Sequence, residues 1–154
     1  MINSPSVVFL NTHGIVLLVV FVVLYELFIA RRREVAWHAV LSVVATVVFS
    51  IVLKELFLVP RPYLYEGSLP QAGLSYYSSL PSVHAAVAFC LATTVSLHQK
   101  SLGVFLFTIA ALISVGRVLA NVHYPVDIVL GMLIGVLTGI IFNQIHVKFR
   151  KKKG

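Results

Sequence analysis

Residues 35–53 read VAWHAVLSVVATVVFSIVL, nineteen positions without an Asp, Glu, Lys or Arg. Such a run matches the roughly 20 apolar residues that a helix needs to cross the hydrocarbon layer of a bilayer. Inside lipid every backbone N–H and C=O must find a partner within the chain, which selects helix over an open strand. Outward from this run, four further stretches qualify: about His13–Ala30 before it, then Ser82–His98, Leu102–Val118 and Val126–His146. The expectation is an all-α, polytopic membrane helix bundle of about five transmembrane helices, forming a single domain over residues 1–154. Residues 1–12 are too short to span and, with Pro5, are expected to lie along the interface.

Composition supports this. The 154 residues are 59% hydrophobic and 11% charged, against about 25% charged in an ordinary soluble domain. The net charge is +7. In a soluble protein that would raise the question of nucleic acid. Here the basic residues sit at the ends of apolar runs, so membrane lipids are the expected partner and nucleic acid is not. The single cysteine, Cys90, lies inside an apolar run and reads as a small packed hydrophobe. The first apolar run has no basic residue before it and Arg31, Arg32 and Arg33 after it, the wrong polarity for a cleaved signal peptide.

Orientation follows from the 12 basic residues. Nine of them (Arg31, Arg32, Arg33, Lys100, Lys148, Arg150, Lys151, Lys152 and Lys153) fall on one side of the five spans. The positive-inside rule makes that side cytoplasmic. The N-terminus is then extracytoplasmic and the C-terminus cytoplasmic. The other three, Lys54, Arg61 and Arg117, lie on the opposite face, against the rule. That face also carries the longest loop, about 54–80. Its Tyr63, Tyr65, Tyr76 and Tyr77 suit an aromatic belt at the headgroup level.

Three segments on this face carry groups for phosphate chemistry: Lys54-Glu-Leu-Phe-Leu-Val-Pro-Arg61-Pro62, then Pro81-Ser82-Val83-His84, then Arg117-Val-Leu-Ala-Asn-Val-His123-Tyr-Pro-Val-Asp127. Arginine's planar fork matches phosphate oxygens in a bidentate way, and lysine acts as a point charge. The amides of Ser82, Val83 and His84 open a helix, a natural anion site. His84 and His123 can exchange protons near neutral pH. Asp127, the only aspartate, lies four residues after His123 and could hold its ring in one tautomer. Carboxylates are too few for a metal cage, and three cations around a phosphate would do a metal's electrostatic work.

These segments resemble the type 2 phosphatidic acid phosphatase family, the membrane relatives of vanadium haloperoxidases. That family is recognised by K-x6-R-P, P-S-G-H and S-R-x5-H-x3-D. Lys54, Arg61 and Pro62 match the first pattern; Pro81, Ser82 and His84 the second; Arg117, His123 and Asp127 the third. Val83 stands where the family has Gly, adding bulk where the chain approaches phosphate. Gly116 stands where it has Ser. The five-span form looks like the short bacterial undecaprenyl-diphosphate phosphatases.

The resemblance implies a lipid phosphate hydrolase with its site at the extracytoplasmic face of a bacterial membrane, needing no metal or cofactor. It implies His123 as a nucleophile forming a phosphohistidine, Asp127 as its orienting partner and His84 as acid and base. Lys54, Arg61, Ser82, Val83 and Arg117 would hold the phosphoryl group. Undecaprenyl diphosphate is the first substrate expectation. Phosphatidic acid or phosphatidylglycerophosphate is the alternative within the class, and a non-catalytic lipid transport protein or a small assembly protein outside it. His13, His38, His98 and His146 read as interfacial. Glu26, inside the first span, reads as snorkelling to the cytoplasmic surface. Asn121 and Tyr124, inside the third motif, are further candidates for substrate contact.

Overall fold

The computed structural model describes residues 5–65 and 78–153, with side chains over 13–65 and 78–145. The elements are α1 (Pro5–Leu24), extended by a π-helical turn at Tyr25–Ile29, then α2 (Arg33–Phe57), the short α3 (Pro62–Tyr65), α4 (Val83–Ser96), α5 (Lys100–Leu119) and α6 (Pro125–Lys153). No strand occurs among the described residues. The all-α expectation holds.

Three segments are long and apolar enough to cross a bilayer: the run containing α2, all of α5, and Pro125–Ile145 of α6. The apolar helices His13–Ile29 and Val83–Ser96 are shorter. At 14 residues, α4 rises about 21 Å, less than the ~30 Å hydrocarbon layer. It is also the centre of the bundle. Ala85 through Val95 are all buried, enclosed by α2, α5 and α6. Cys90 is fully buried there, as its apolar surroundings predict. The outer helices turn side chains such as Leu112 and Leu133 outward.

Small residues allow close approach at the centre. Gly131, Gly135 and Gly139 form an i, i+4, i+8 stripe on α6 against the α4 backbone. A Cβ on Gly131 would stand 2.6 Å from the Ser82 carbonyl oxygen, and one on Gly135 would sit 2.8 Å from the Cys90 amide and closer still to the Ala86 carbonyl. Membrane helices associate through such small-residue seams and through interhelical hydroxyl bonds. Two of the latter tie α2 to its neighbours: Ser42 Oγ lies 3.3 Å from Thr94 Oγ1, and Thr46 Oγ1 lies 2.7 Å from Thr138 Oγ1.

Helix ends follow from local chemistry. Leu58 closes α2 in the left-handed region at φ 48°, its amide donating to the Lys54 carbonyl at 3.1 Å, and Pro60 prevents continuation. The Ser82 hydroxyl caps α4, accepting from the Ala85 amide at 3.4 Å. Pro125 opens α6 with Asp127 in its first turn, where a fixed φ and a negative charge both suit a helix start.

Several expectations are corrected. The N-terminal segment is not a separate interfacial piece: from Pro5 it is helix, continuous with the first span. Residues 1–4 lie outside the described residues. Glu26 does not snorkel; it is fully buried within the π-helical turn, whose wider winding turns it toward the bundle. His38 is buried rather than interfacial and stacks on the exposed His98 ring at 5.7 Å between centroids. The side chain of His146 lies outside the described residues.

Replacing Gly135 with leucine is expected to destabilise the bundle by about 1–3 kcal/mol, the usual range for overpacking a tight interior. A fall of several degrees in the detergent melting temperature checks this, with Gly14→Leu, at a position where an added Cβ meets nothing within 4 Å, as the control that should not melt early.

Candidate active site

The three sequence motifs meet at one end of the bundle, where α2 ends and α4 and α6 begin. Four bonds stitch them together. The Lys54 ammonium, at the end of α2, donates to the carbonyls of Ser78 at 2.6 Å and Ser79 at 3.2 Å, just before the second motif. The Arg61 guanidinium donates to the Val122 carbonyl at 3.0 Å, reaching the third motif. The Ser82 amide donates to the Asp127 main-chain carbonyl at 3.0 Å. A further backbone bond, Ser79 amide to Val59 carbonyl at 2.7 Å, pins the approach to α4 against the exit from α2.

At the centre lie His123 and Asp127, both buried. His123 Nδ1 lies 3.2 Å from Asp127 Oδ2. The Tyr124 amide donates to the same oxygen at 2.9 Å, which fixes the carboxylate. A carboxylate only accepts, so Nδ1 carries the proton and the Nε2 lone pair is left for chemistry. Asn121 turns the chain from α5 toward His123 at φ 56°, a conformation asparagine tolerates better than most residues. This gives Asn121 a backbone role.

Arg61 and Arg117 are buried, and Lys54 is half-buried. Together they set three positive charges around one carboxylate. Burial pushes the His123 imidazole down to about 4; the Asp127 hydrogen bond opposes that shift, while Arg61, Arg117 and Lys54 add to it. At neutral pH the ring is therefore uncharged. Lys54 and Arg61 also donate to main-chain carbonyls, which offsets part of the cost of burying charge. The geometry suits a ligand that brings more than one negative charge.

The second motif opens α4. The Ser82 amide donates to Asp127 and its hydroxyl accepts from the Ala85 amide, which leaves the hydroxyl proton to donate elsewhere. Val83 packs its side chain on the apolar cluster that includes Val87 and Leu91. Its bulk points into the core rather than toward phosphate. His84, half-buried one residue later, lines a groove of about 520 Å³ together with Arg117 and Gly116.

One residue was misread. Tyr63, assigned to the aromatic belt, is buried, and its hydroxyl has no hydrogen-bond partner among the described residues. It interacts electrostatically with Arg61. Its place two residues after Arg61 was the only signal available. Tyr65 is exposed as expected, whereas Tyr76 and Tyr77 lie outside the described residues.

This fold and this set of groups define a class, the membrane-embedded phosphatases. The chain belongs to the PAP2 superfamily, whose family model matches residues 35–151. In class it is a phosphoric ester hydrolase, a lipid phosphatase. The crystal structure of Aquifex aeolicus LpxE superposes with a TM-score of 0.73 at 32% identity, over 92% of this chain and 88% of that one. A PAP2-type phosphatidylglycerolphosphate phosphatase from Bacillus subtilis has the same fold, with a TM-score of 0.70 at 22% identity, over 96% and 80% of the two chains. The bacitracin transport permease protein BcrC of Bacillus licheniformis is 27% identical over 141 residues, 89% of this chain and 68% of that protein.

The His123 imidazole is expected to titrate near pH 4 in the ligand-free protein, well below its ordinary 6.5. A proton then binds the unfolded chain before the folded one. From this residue alone, stability rises with pH between about 4 and 6.5 and is flat above. Nitrogen NMR of the labelled imidazole checks this; a midpoint at or above 6.5 would contradict the buried, cation-flanked ring.

Proposed function

We propose that the chain hydrolyses undecaprenyl diphosphate to undecaprenyl phosphate and phosphate, without a metal, through a phosphohistidine at His123. The observation that carries this is the tautomer set by Asp127: a neutral, buried imidazole whose Nε2 lone pair is available among Lys54, Arg61 and Arg117. In the first step Nε2 attacks the terminal phosphorus, an N–P bond forms and the bond from that phosphorus to the bridging oxygen breaks, so undecaprenyl phosphate leaves. His84 supplies the proton to the departing oxygen. In the second step His84 takes a proton from water, whose oxygen attacks phosphorus, and the N–P bond breaks. Lys54, Arg61 and Arg117 neutralise charge building on the phosphoryl oxygens. The Ser82 hydroxyl and the Val83 amide add hydrogen bonds to the phosphoryl oxygens from the start of the helix that carries His84.

The diphosphate is preferred because, among the described residues, three cations are set around a single carboxylate, which suits a headgroup with more charge than a monoester. The Bacillus subtilis structural neighbour, described as a phosphatidylglycerolphosphate phosphatase, makes that monoester the proper comparator. We further propose that residues 1–154 act as one domain. The site would face the extracytoplasmic side and the basic C-terminus the cytoplasm, following the distribution of Lys and Arg.

Phosphate release in detergent from undecaprenyl diphosphate, phosphatidic acid and phosphatidylglycerophosphate tests the reading. Release should survive EDTA and stop with vanadate. His123→Ala should lower turnover by about a thousandfold or more, the scale seen when a covalent nucleophile is removed. Lys54→Ala should act mainly on KM. Normal turnover by His123→Ala, or no release from any of the three lipids, would sink the assignment.

A further inference from the structure

The groove that His84 and Arg117 close at its upper end is otherwise apolar. It runs between α1 and α5, and the positions that form its walls descend together from the site end: Gly14, Leu17 and Phe21 on α1, Gly116, Leu112 and Ile109 on α5. Seven residues separate Gly14 from Phe21 and Ile109 from Gly116, so at 1.5 Å per residue the trough is about 10 Å long. Its walls are outward-facing, Leu17, Phe21 and Leu112 each being more than half exposed. A lipid can therefore enter sideways from the bilayer. A second trough between α2 and α6, about 780 Å³ and lined by residues such as Val44 and Leu137, meets none of the site residues.

We infer that the α1–α5 groove holds the first ten or so ångströms of the substrate's hydrocarbon tail, and that Gly14 and Gly116 set its width. Continuity with the site carries this. Arg117 both lines the groove and acts electrostatically on His123, so an anionic headgroup at His123 leaves its tail at the mouth of the trough. A Cβ added at Gly14 or Gly116 would meet nothing within 4 Å. Neither glycine is therefore needed for helix packing, and both leave open space where a chain would lie. Gly116 is also one of the two departures from the family pattern. Its missing side chain enlarges the groove beside Arg117, and the departure gains a function: selection for a bulky tail close to the phosphate. A prenyl chain, with a methyl branch on every unit, is bulkier there than an unbranched acyl chain.

This rests on the lipid-phosphatase reading of the same site, and two measurements separate the two. The first compares kcat/KM for farnesyl diphosphate, dipalmitoyl phosphatidic acid and isopentenyl diphosphate, whose five-carbon tail barely enters the trough. In Gly116→Leu and Gly14→Leu the farnesyl-to-isopentenyl ratio should fall about tenfold, the worth of roughly two displaced methylene contacts. A ratio unchanged in both variants overturns the inference. A fall in the farnesyl ratio matched or exceeded by the loss on phosphatidic acid keeps the groove but overturns the prenyl preference. The second measurement needs no turnover: a farnesyl diphosphate bearing a diazirine on its second isoprene unit, photolysed with the His123→Ala protein in detergent. Label should appear on the peptides holding Leu17 and Leu112. Label spread equally to those holding Val44 and Leu137 would overturn the groove even if catalysis stands, and labelled groove peptides in a protein that releases no phosphate would overturn catalysis alone.

Discussion

Asp127 binds in two directions at once. Its carboxylate accepts from His123 and from the Tyr124 amide, while its main-chain carbonyl accepts from the Ser82 amide. The first pair sets the imidazole tautomer. The second couples the start of α6 to the start of α4, and so fixes how His84 stands relative to His123. A buried carboxylate is tolerable only among partners and positive charge, and Arg61, Arg117 and Lys54 supply that charge. The same three cations surround the phosphoryl position proposed for the substrate. One residue thus connects helix packing to electrostatics.

The bilayer imposes the rest. Charge is kept out of the hydrocarbon layer, so the polar groups collect at one end of a bundle whose middle is hydroxyls and small residues. The short α4 could not span alone, yet it is the best-buried helix, because its neighbours shield it from lipid. Glycines at 131, 135 and 139 bring α6 against its backbone. That contact gives the Ser82–Asp127 bond its short reach. Packing near the centre and geometry at the site are therefore one constraint.

Between α1 and α5 the packing is looser, and an apolar trough opens beside Arg117. The molecule divides its labour accordingly. The tightly joined α4–α6 pair holds the groups for chemistry, and the open flank faces the medium in which a lipid tail already lies. The position where Gly116 replaces a serine sits at the border between the two.

How much of this could be read from residue order depends on the range of the cause. The helical class, the apolar spans after the first loop and the three motifs follow from local pattern: runs of apolar residues long enough for a bilayer, and fixed spacings such as His123 to Asp127, which the turn into α6 brings together. The cations were legible because Lys54, Arg61 and Arg117 oppose the topology rule that the other nine basic residues obey. What was not legible depends on neighbours far along the chain. Val83 turned out to face the core, Tyr63 to lie buried by Arg61, and Glu26 and His38 to be enclosed. The glycine stripe was visible as spacing, but only the α4 backbone lying against it gives the spacing a reason. Sequence alone determined which groups gather at one end and the chemistry they can perform; the tertiary structure decided which face of each helix meets another, because burial and hydrogen bonding are properties of pairs of segments.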